Sequence, residues 1–161
     1  MGTHLDALPY GVPIPEPEAK DIGLITIVKT PYREREEAIR AIRDEVFVRE
    51  QQVSPDLEHD GLDSGAFHVL ALDQGRPVGT GRVLEDGHIG RIAVLCEYRH
   101  RGIATRLVET LIVQAQSQGC TRVWLASQCQ ATRLYEKLGF VSDGDVFQEA
   151  GIDHIKMSRE L

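Results

Sequence analysis

The chain has 161 residues, a formal net charge of −7 and a pI near 5.3, a balance that argues against a broad nucleic-acid surface. Hydrophobic residues make up 42% and charged residues 27%, the proportions of a soluble globular protein, and the length suits one domain that buries roughly 70% of its unfolded surface. Three cysteines, Cys96, Cys120 and Cys129, with no Cys-x-x-Cys, argue against a disulfide framework or a structural zinc site and point to a reducing, cytoplasmic setting.

Residues 1–20 carry Pro9, Pro13, Pro15 and Pro17 with little apolar periodicity and read as a flexible arm, leaving 21–161 as a single domain. The start of the chain lacks the basic residues and apolar core of a signal peptide, and no apolar run approaches the ~20 residues of a bilayer span. Ile22 to Val28, rich in β-branched residues, reads as a strand. Arg33 to Arg49 reads as a helix with Ala38, Ile39, Ile42 and Val46 on one face. A polar, acidic loop from Gln51 to Gly65 follows.

Three strands are predicted next, Ala66–Leu72, Pro77–Leu84 and His88–Val94, joined by short links that favour an antiparallel meander. The helical pattern returns from Gly102 to Gln118, with Gly119 placed to cap its end. Arg122–Ala126 reads as a strand and Gln130–Leu138 as a short helix. Val146–Phe147 and Ile152–Met157 form a closing hairpin. The order β-α-βββ-α-β-α-ββ is that of an α+β fold, a mixed sheet with helices packed on it.

There is no Gly-x-x-x-x-Gly-Lys-Ser/Thr and no Gly-x-Gly-x-x-Gly. Instead, Arg99-x-x-Gly102-x-Ala104 lies between a strand and the start of a helix. The first amides of a helix have no internal partners and sit at the positive end of its dipole, so they attract an anion. Gly102 leaves room for a phosphate to approach the backbone, and Arg99, His100 and Arg101 are candidate donors. From the residues alone a solvated surface turn is an equal reading.

A second segment, Ala131-Thr-Arg-Leu134-Tyr135-Glu-Lys-Leu-Gly139-Phe140, tips the balance. Together the two segments resemble the GNAT superfamily of acyl-CoA-dependent N-acyltransferases. Residues 46–51, Glu58-x-Asp60-x-x-Asp63, Ala66–His68, Gly90–Val94, Ala126–Gln128 and Gly151–His154 are similar to its ElaA-type branch. Gln128 stands where many members carry Asn.

The resemblance implies a mostly antiparallel central sheet flanked by helices, with a V-shaped splay between the fourth and fifth strands. It implies acetyl-CoA as cosubstrate and no metal. The backbone of Ile92, Ala93 and Val94 would align the pantetheine arm, with Gln128 nearby. The amides of Arg101, Gly102, Ile103, Ala104 and Thr105 would receive the diphosphate. The Val94 N–H would stabilise an oxyanion, and Tyr135 would hydrogen-bond to the departing thiolate or protonate it.

Several groups are candidates for the general base: Glu58, Asp60, Asp63, His68, Glu149 and His154. Glu149 and His154 lie in the closing hairpin that flanks the acceptor site in this superfamily. The loop around Asp56, Glu58 and Asp60 fails as a calcium loop because Phe67 stands where the bidentate Glu belongs. It reads as a solvated loop or as an attractor for a cationic amine. Cys129 reads as a small buried residue.

The function implied is acetyl transfer to a primary amine, on a small molecule or a protein, without nucleic-acid or membrane partners. The other readings are a non-catalytic CoA-binding or regulatory module and an interaction domain that keeps only the fold. A dimer is common for such folds, but the sequence does not set the oligomeric state.

Overall fold

The computed structural model describes residues 24–161, so the expected N-terminal arm lies outside the described residues. The chain opens with β1 (Ile25–Thr30) and α1 (Tyr32–Arg43), which runs on into a π-helical stretch, Asp44–Glu50. The short α2 (Pro55–Glu58) and a 3-10 turn, Asp63–Gly65, lead into β2 (Phe67–Asp73), β3 (Arg76–Val83) and β4 (Ile89–Val94). Then come α3 (Ile103–Ser117), β5 (Arg122–Gln128), α4 (Thr132–Lys137), β6 (Val141–Glu149) and β7 (Ile152–Glu160).

Strands β1-β2-β3-β4 form an antiparallel meander and β5-β7-β6 a second antiparallel sheet. The two sheets meet where Trp124 N–H donates to Gly87 O at 3.1 Å, beside a lone parallel bridge from His88 to Trp124. Beyond that point β4 and β5 diverge into a V. Gly87 is what permits the junction: its φ is +87°, and a Cβ there would sit 2.3 Å from Arg122 O.

Alternation along the strands sorts the core. Val69 and Ala71 of β2 pack with Leu107, Val108 and Leu111 of α3. Leu70 points the other way, to Ile39, Ile42, Val46 and Phe47 of α1 and its extension. The two helices thus cover opposite faces of the meander, as their apolar stripes require.

Three expectations differ in detail. The first helix was read as regular to Arg49, but it becomes π-helical at Asp44, with Gln51 N–H reaching back to Val46 O. The acidic segment is not a plain loop: Ser54 caps α2, with Pro55 in its first turn. The closing hairpin has nine-residue strands. Every residue of β6 is exposed, so no buried alternation marks it in the sequence.

Candidate active site

The cleft begins at the edge of β4. Leu95 N–H donates to Val78 O of β3, so by alternation the amides of Val94 and Ile92 face the other edge, into the V. Ala93 pairs with Thr80, which turns its backbone toward β3; its expected contact with the acyl arm is corrected accordingly. Upstream, Arg91 has φ +54°, and the register shifts between Thr80 and Arg82. This is a bulge, a feature that bends a strand and sharpens its twist. Gly81 faces it without a side chain, since a Cβ there would meet Ile92 Cδ1 at 2.6 Å.

Below the V lies the turn before α3. Gly102 is the N-cap residue, with φ +77°, no side-chain cap and open space where a Cβ would stand. The helix therefore presents its first amides without a side chain closing them off. Tyr98, His100, Gly102, Ile103, Thr105 and Gln130 border a hollow of about 480 Å³, together with Arg133, Leu134 and Lys137. Ala104 is buried beneath it.

The arginines of the turn are not where the motif placed them. Arg99 is 2% exposed; its Nε donates to Val94 O at 3.0 Å and its Nη2 to the Glu50 carboxylate at 2.9 and 3.1 Å. It ties the turn to β4 and to the end of the π-helical stretch rather than facing the hollow. Arg101 lies over the Tyr98 ring at 4.9 Å and donates to Glu97 O. His100 alone of the three borders the hollow, and the cations there are Arg133 and Lys137 of α4. Their i, i+4 spacing places both on one helix face.

A second cavity, of about 270 Å³, opens between the π-helical stretch, α2 and the closing hairpin. Phe47, Val53, Leu57 and Ile152 supply its apolar wall, and His154 and Glu149 border it. His154 is 1% exposed, and burial lowers its pKa below the ordinary imidazole value. Its Nδ1 lies 2.7 Å from Ile152 O. A carbonyl only accepts, so Nδ1 carries the proton and Nε2 is the basic nitrogen. Nε2 is 3.6 Å from Glu149 Oε2.

The other base candidates are spent elsewhere. Arg43 Nε holds Glu58 Oε1 at 2.7 Å and its Nη1 holds Asp63 at 2.6 Å. Arg82 binds Asp60 and Asp63, and Arg91 Nε holds Glu58 Oε2 at 2.7 Å. Burial pushes the carboxyls of Asp60 and Asp63 up, but hydrogen bonds and charge from these arginines outweigh it and leave both below the ordinary range. Such groups are poor proton acceptors. His68 donates through Nε2 to Asp63 O at 3.0 Å and has no role in the cavity. Three carboxylates matched by three arginines make a neutral clamp, not the acidic attractor weighed from the sequence.

Gln128 is 1% exposed, and its side chain sits in a chain of amides. Gln130 donates to it at 2.7 Å, and it donates to Gln51 Oε1 at 2.9 Å. It borders the second cavity, not the hollow at the start of α3. Tyr135 is 2% exposed, edge-on to Phe140 at 5.8 Å, and burial pushes its phenol above the ordinary range, so it stays protonated. Asp44, Glu58 and His59 bring one ligand atom each within 4.8 Å, but Arg43 and Arg91 already hold Glu58.

Sequence reasoning missed Gln51 and His88 in the cavity wall and Arg133 and Lys137 at the hollow. Only the basic pair left a local signal.

Residues 29–161 match the family described as acetyltransferase (GNAT) domain. The N-acetyltransferase YjcF of Bacillus subtilis (strain 168) is 35% identical over 123 residues, covering 74% of this chain and 88% of that protein. The crystal structure of Escherichia coli ElaA superposes with a TM-score of 0.76 at 26% identity, over 84% of this chain and 99% of that one. An acyl-CoA N-acyltransferase from Pseudomonas aeruginosa gives a TM-score of 0.74 at 29% identity, over 84% and 99%. The splayed sheets, the open start of α3 and these likenesses agree: the chain is an acetyltransferase of the GNAT family, in its ElaA-type branch.

Proposed function

We propose that the enzyme transfers the acetyl group of acetyl-CoA directly to a primary amine seated in the 270 Å³ cavity. One observation carries this reading: the fold combines an uncapped helix start, a β4 edge whose Ile92 and Val94 amides face away from β3, and a buried, neutral histidine on β7, which pairs with β5. The amides of residues 102–105 take the diphosphate, and Arg133 and Lys137 add charge. The free edge of β4 at Ile92 and Val94 receives the pantetheine amides as an added strand would.

The chemistry balances as follows. The amine nitrogen forms a bond to the thioester carbonyl carbon, and the C–S bond breaks. His154 Nε2 takes the proton lost by nitrogen, with Glu149 stabilising the resulting imidazolium. The Val94 N–H donates to the developing oxyanion, an interaction of a kind worth roughly 10²–10³ in rate. Tyr135, kept protonated by burial, donates a hydrogen bond to the departing thiolate, which takes its proton from solvent as the imidazolium of His154 returns its own.

Steady-state transfer of labelled acetyl from acetyl-CoA to simple amines tests the reading directly; CoA release without acetylated amine would contradict it. Tyr135→Phe is expected to lower kcat by about tenfold or more while leaving CoA affinity within about twofold. Equal rates would remove Tyr135 from the chemistry.

The pH profile follows from His154. Its pKa is lowered by burial, so the active, neutral form persists to a lower pH than a free imidazole allows. The acid limb of kcat is therefore expected below the ordinary value of about 6.5, and it should vanish in His154→Gln. An unchanged limb in that variant would assign the base elsewhere.

A further inference from the structure

The cavity wall also describes the amine. Five charged side chains line it, and four of them, Glu58, Asp60, Arg82 and Arg91, are not left to answer a charge on a substrate. Glu58 is held by Arg43 and Arg91, and Asp60 by Arg82 and Arg91. Asp63, behind them, is shared by Arg43 and Arg82. Three guanidiniums balance three carboxylates, and the set is largely desolvated: side-chain exposure runs from 1% for Glu58 to 27% for Asp60. Separating such a pair to engage a ligand leaves a buried charge without its partner, which is strongly unfavourable.

Glu149 is the exception. Among the described residues it is the one lining carboxylate with no arginine partner, and it is 44% exposed on its side chain, beside His154. The cavity thus offers a single unbalanced negative charge, next to the base. Two more polar atoms in the wall residues, Gln51 Nε2 and His88 Nε2, are buried without a hydrogen-bond partner. Both belong to uncharged groups, since burial lowers the pKa of His88. The rest of the wall is apolar, from Phe47, Val53, Leu57 and Ile152. The volume, about 270 Å³, falls just under the ~300–1,000 Å³ of sites for drug-sized ligands.

From this balance of charge and space we infer that the acceptor is a compact monoamine whose body carries no second charge. The inference rests on the acetyl-transfer reading above and narrows its substrate. A diamine or polyamine would bring a second ammonium with no carboxylate to meet it. An amino acid would bring a carboxylate against arginines that are already satisfied. An aminoglycoside is too large and too highly charged.

The test uses three amines on one four-carbon frame: n-butylamine, 1,4-diaminobutane and 4-aminobutyrate. Each is titrated into the CoA-saturated enzyme by calorimetry and then turned over with acetyl-CoA. Butylamine should lead both orders, by about tenfold or more in affinity and in kcat/KM. Asp60→Asn removes one carboxylate from the balanced set and should shift the ratio of 4-aminobutyrate to butylamine upward by about tenfold. Equal or better use of either doubly functional amine by the parent enzyme overturns the inference. So does the absence of butylamine binding, or an unmoved ratio in a folded Asp60→Asn enzyme. Butylamine binding in the expected order without acetyl transfer would sustain the inference about the cavity and contradict the proposed transfer instead.

Discussion

Exchanging Gly102 for glutamate is expected to weaken CoA binding by roughly 100-fold or more, about 2.7 kcal/mol. The site has no side-chain cap, and the space above its Cβ position is open, so a longer side chain meets no steric obstacle in the free protein. A glutamate there would place its carboxylate over the first amides of α3 and compete for the diphosphate position. Any side chain at φ +77° also strains the backbone, by about 1–2 kcal/mol. Gly102→Ala carries that strain without the carboxylate. Calorimetry on the parent and both variants separates the two effects: alanine should lose little CoA affinity and glutamate most of it. Equal losses would place the diphosphate away from this helix.

The second large effect lies in the charged clamp. Arg43 is 1% exposed and joins Glu58 to Asp63. Arg43→Met leaves both carboxylates with one guanidinium fewer in a desolvated setting, a change that typically costs about 3–5 kcal/mol. Urea unfolding should register it as a large fall in midpoint, with an unchanged slope. Pairing it with Glu58→Gln removes the stranded charge and should recover about 1 kcal/mol or more of the summed losses.

The pH dependence has a definite sign. The folded-state pKa values of Asp60 and Asp63 are lowered, so the unfolded chain binds more protons in acid. Their contribution is complete above the ordinary carboxylate range, near 4, and is lost as the pH falls through the lowered values. Without Arg43 the folded-state pKa of Asp63 rises toward its unfolded value, so Arg43→Met should lose less stability than the parent as the pH falls below about 4, and the gap between the two should narrow in acid. A loss under about 1 kcal/mol would show that Arg43 is not a keystone of the fold.

The clamp also connects the fold to the site. Arg91 sits at the bulge of β4 with a positive φ and grips Glu58 and Asp60 on the far side of the cavity. The strand that carries Val94 and the α2 segment that walls the second cavity are thereby held together.

How much of this was legible before the structure depends on distance along the chain. The helices and the meander were, because 3.6- and 2-residue periodicities are local. The turn before α3 was, because a strand, a glycine and a helix start are contiguous. Arg99 was placed wrongly because an arginine beside such a turn looks the same whether it faces a ligand or Glu50, which is remote in sequence. Glu58, Asp60 and Asp63 looked like possible bases for the same reason: Arg43 and Arg82, which neutralise them, come from α1 and β3. Strand β6 was seen only in part because its wholly exposed residues carry no burial pattern. His154 could be singled out as a base by residue type, but its tautomer required the Ile152 carbonyl.

A crystal structure of the enzyme with CoA bound tests the central claim most directly. The diphosphate should lie within hydrogen-bonding distance of the amides of residues 102–105, with Arg133 and Lys137 alongside and Arg99 still paired to Glu50. The sulfur should lie between Val94 and Tyr135, at the mouth of the cavity that holds His154. CoA bound elsewhere, or its sulfur turned away from that cavity, would contradict the assignment of the cleft as the site of acetyl transfer.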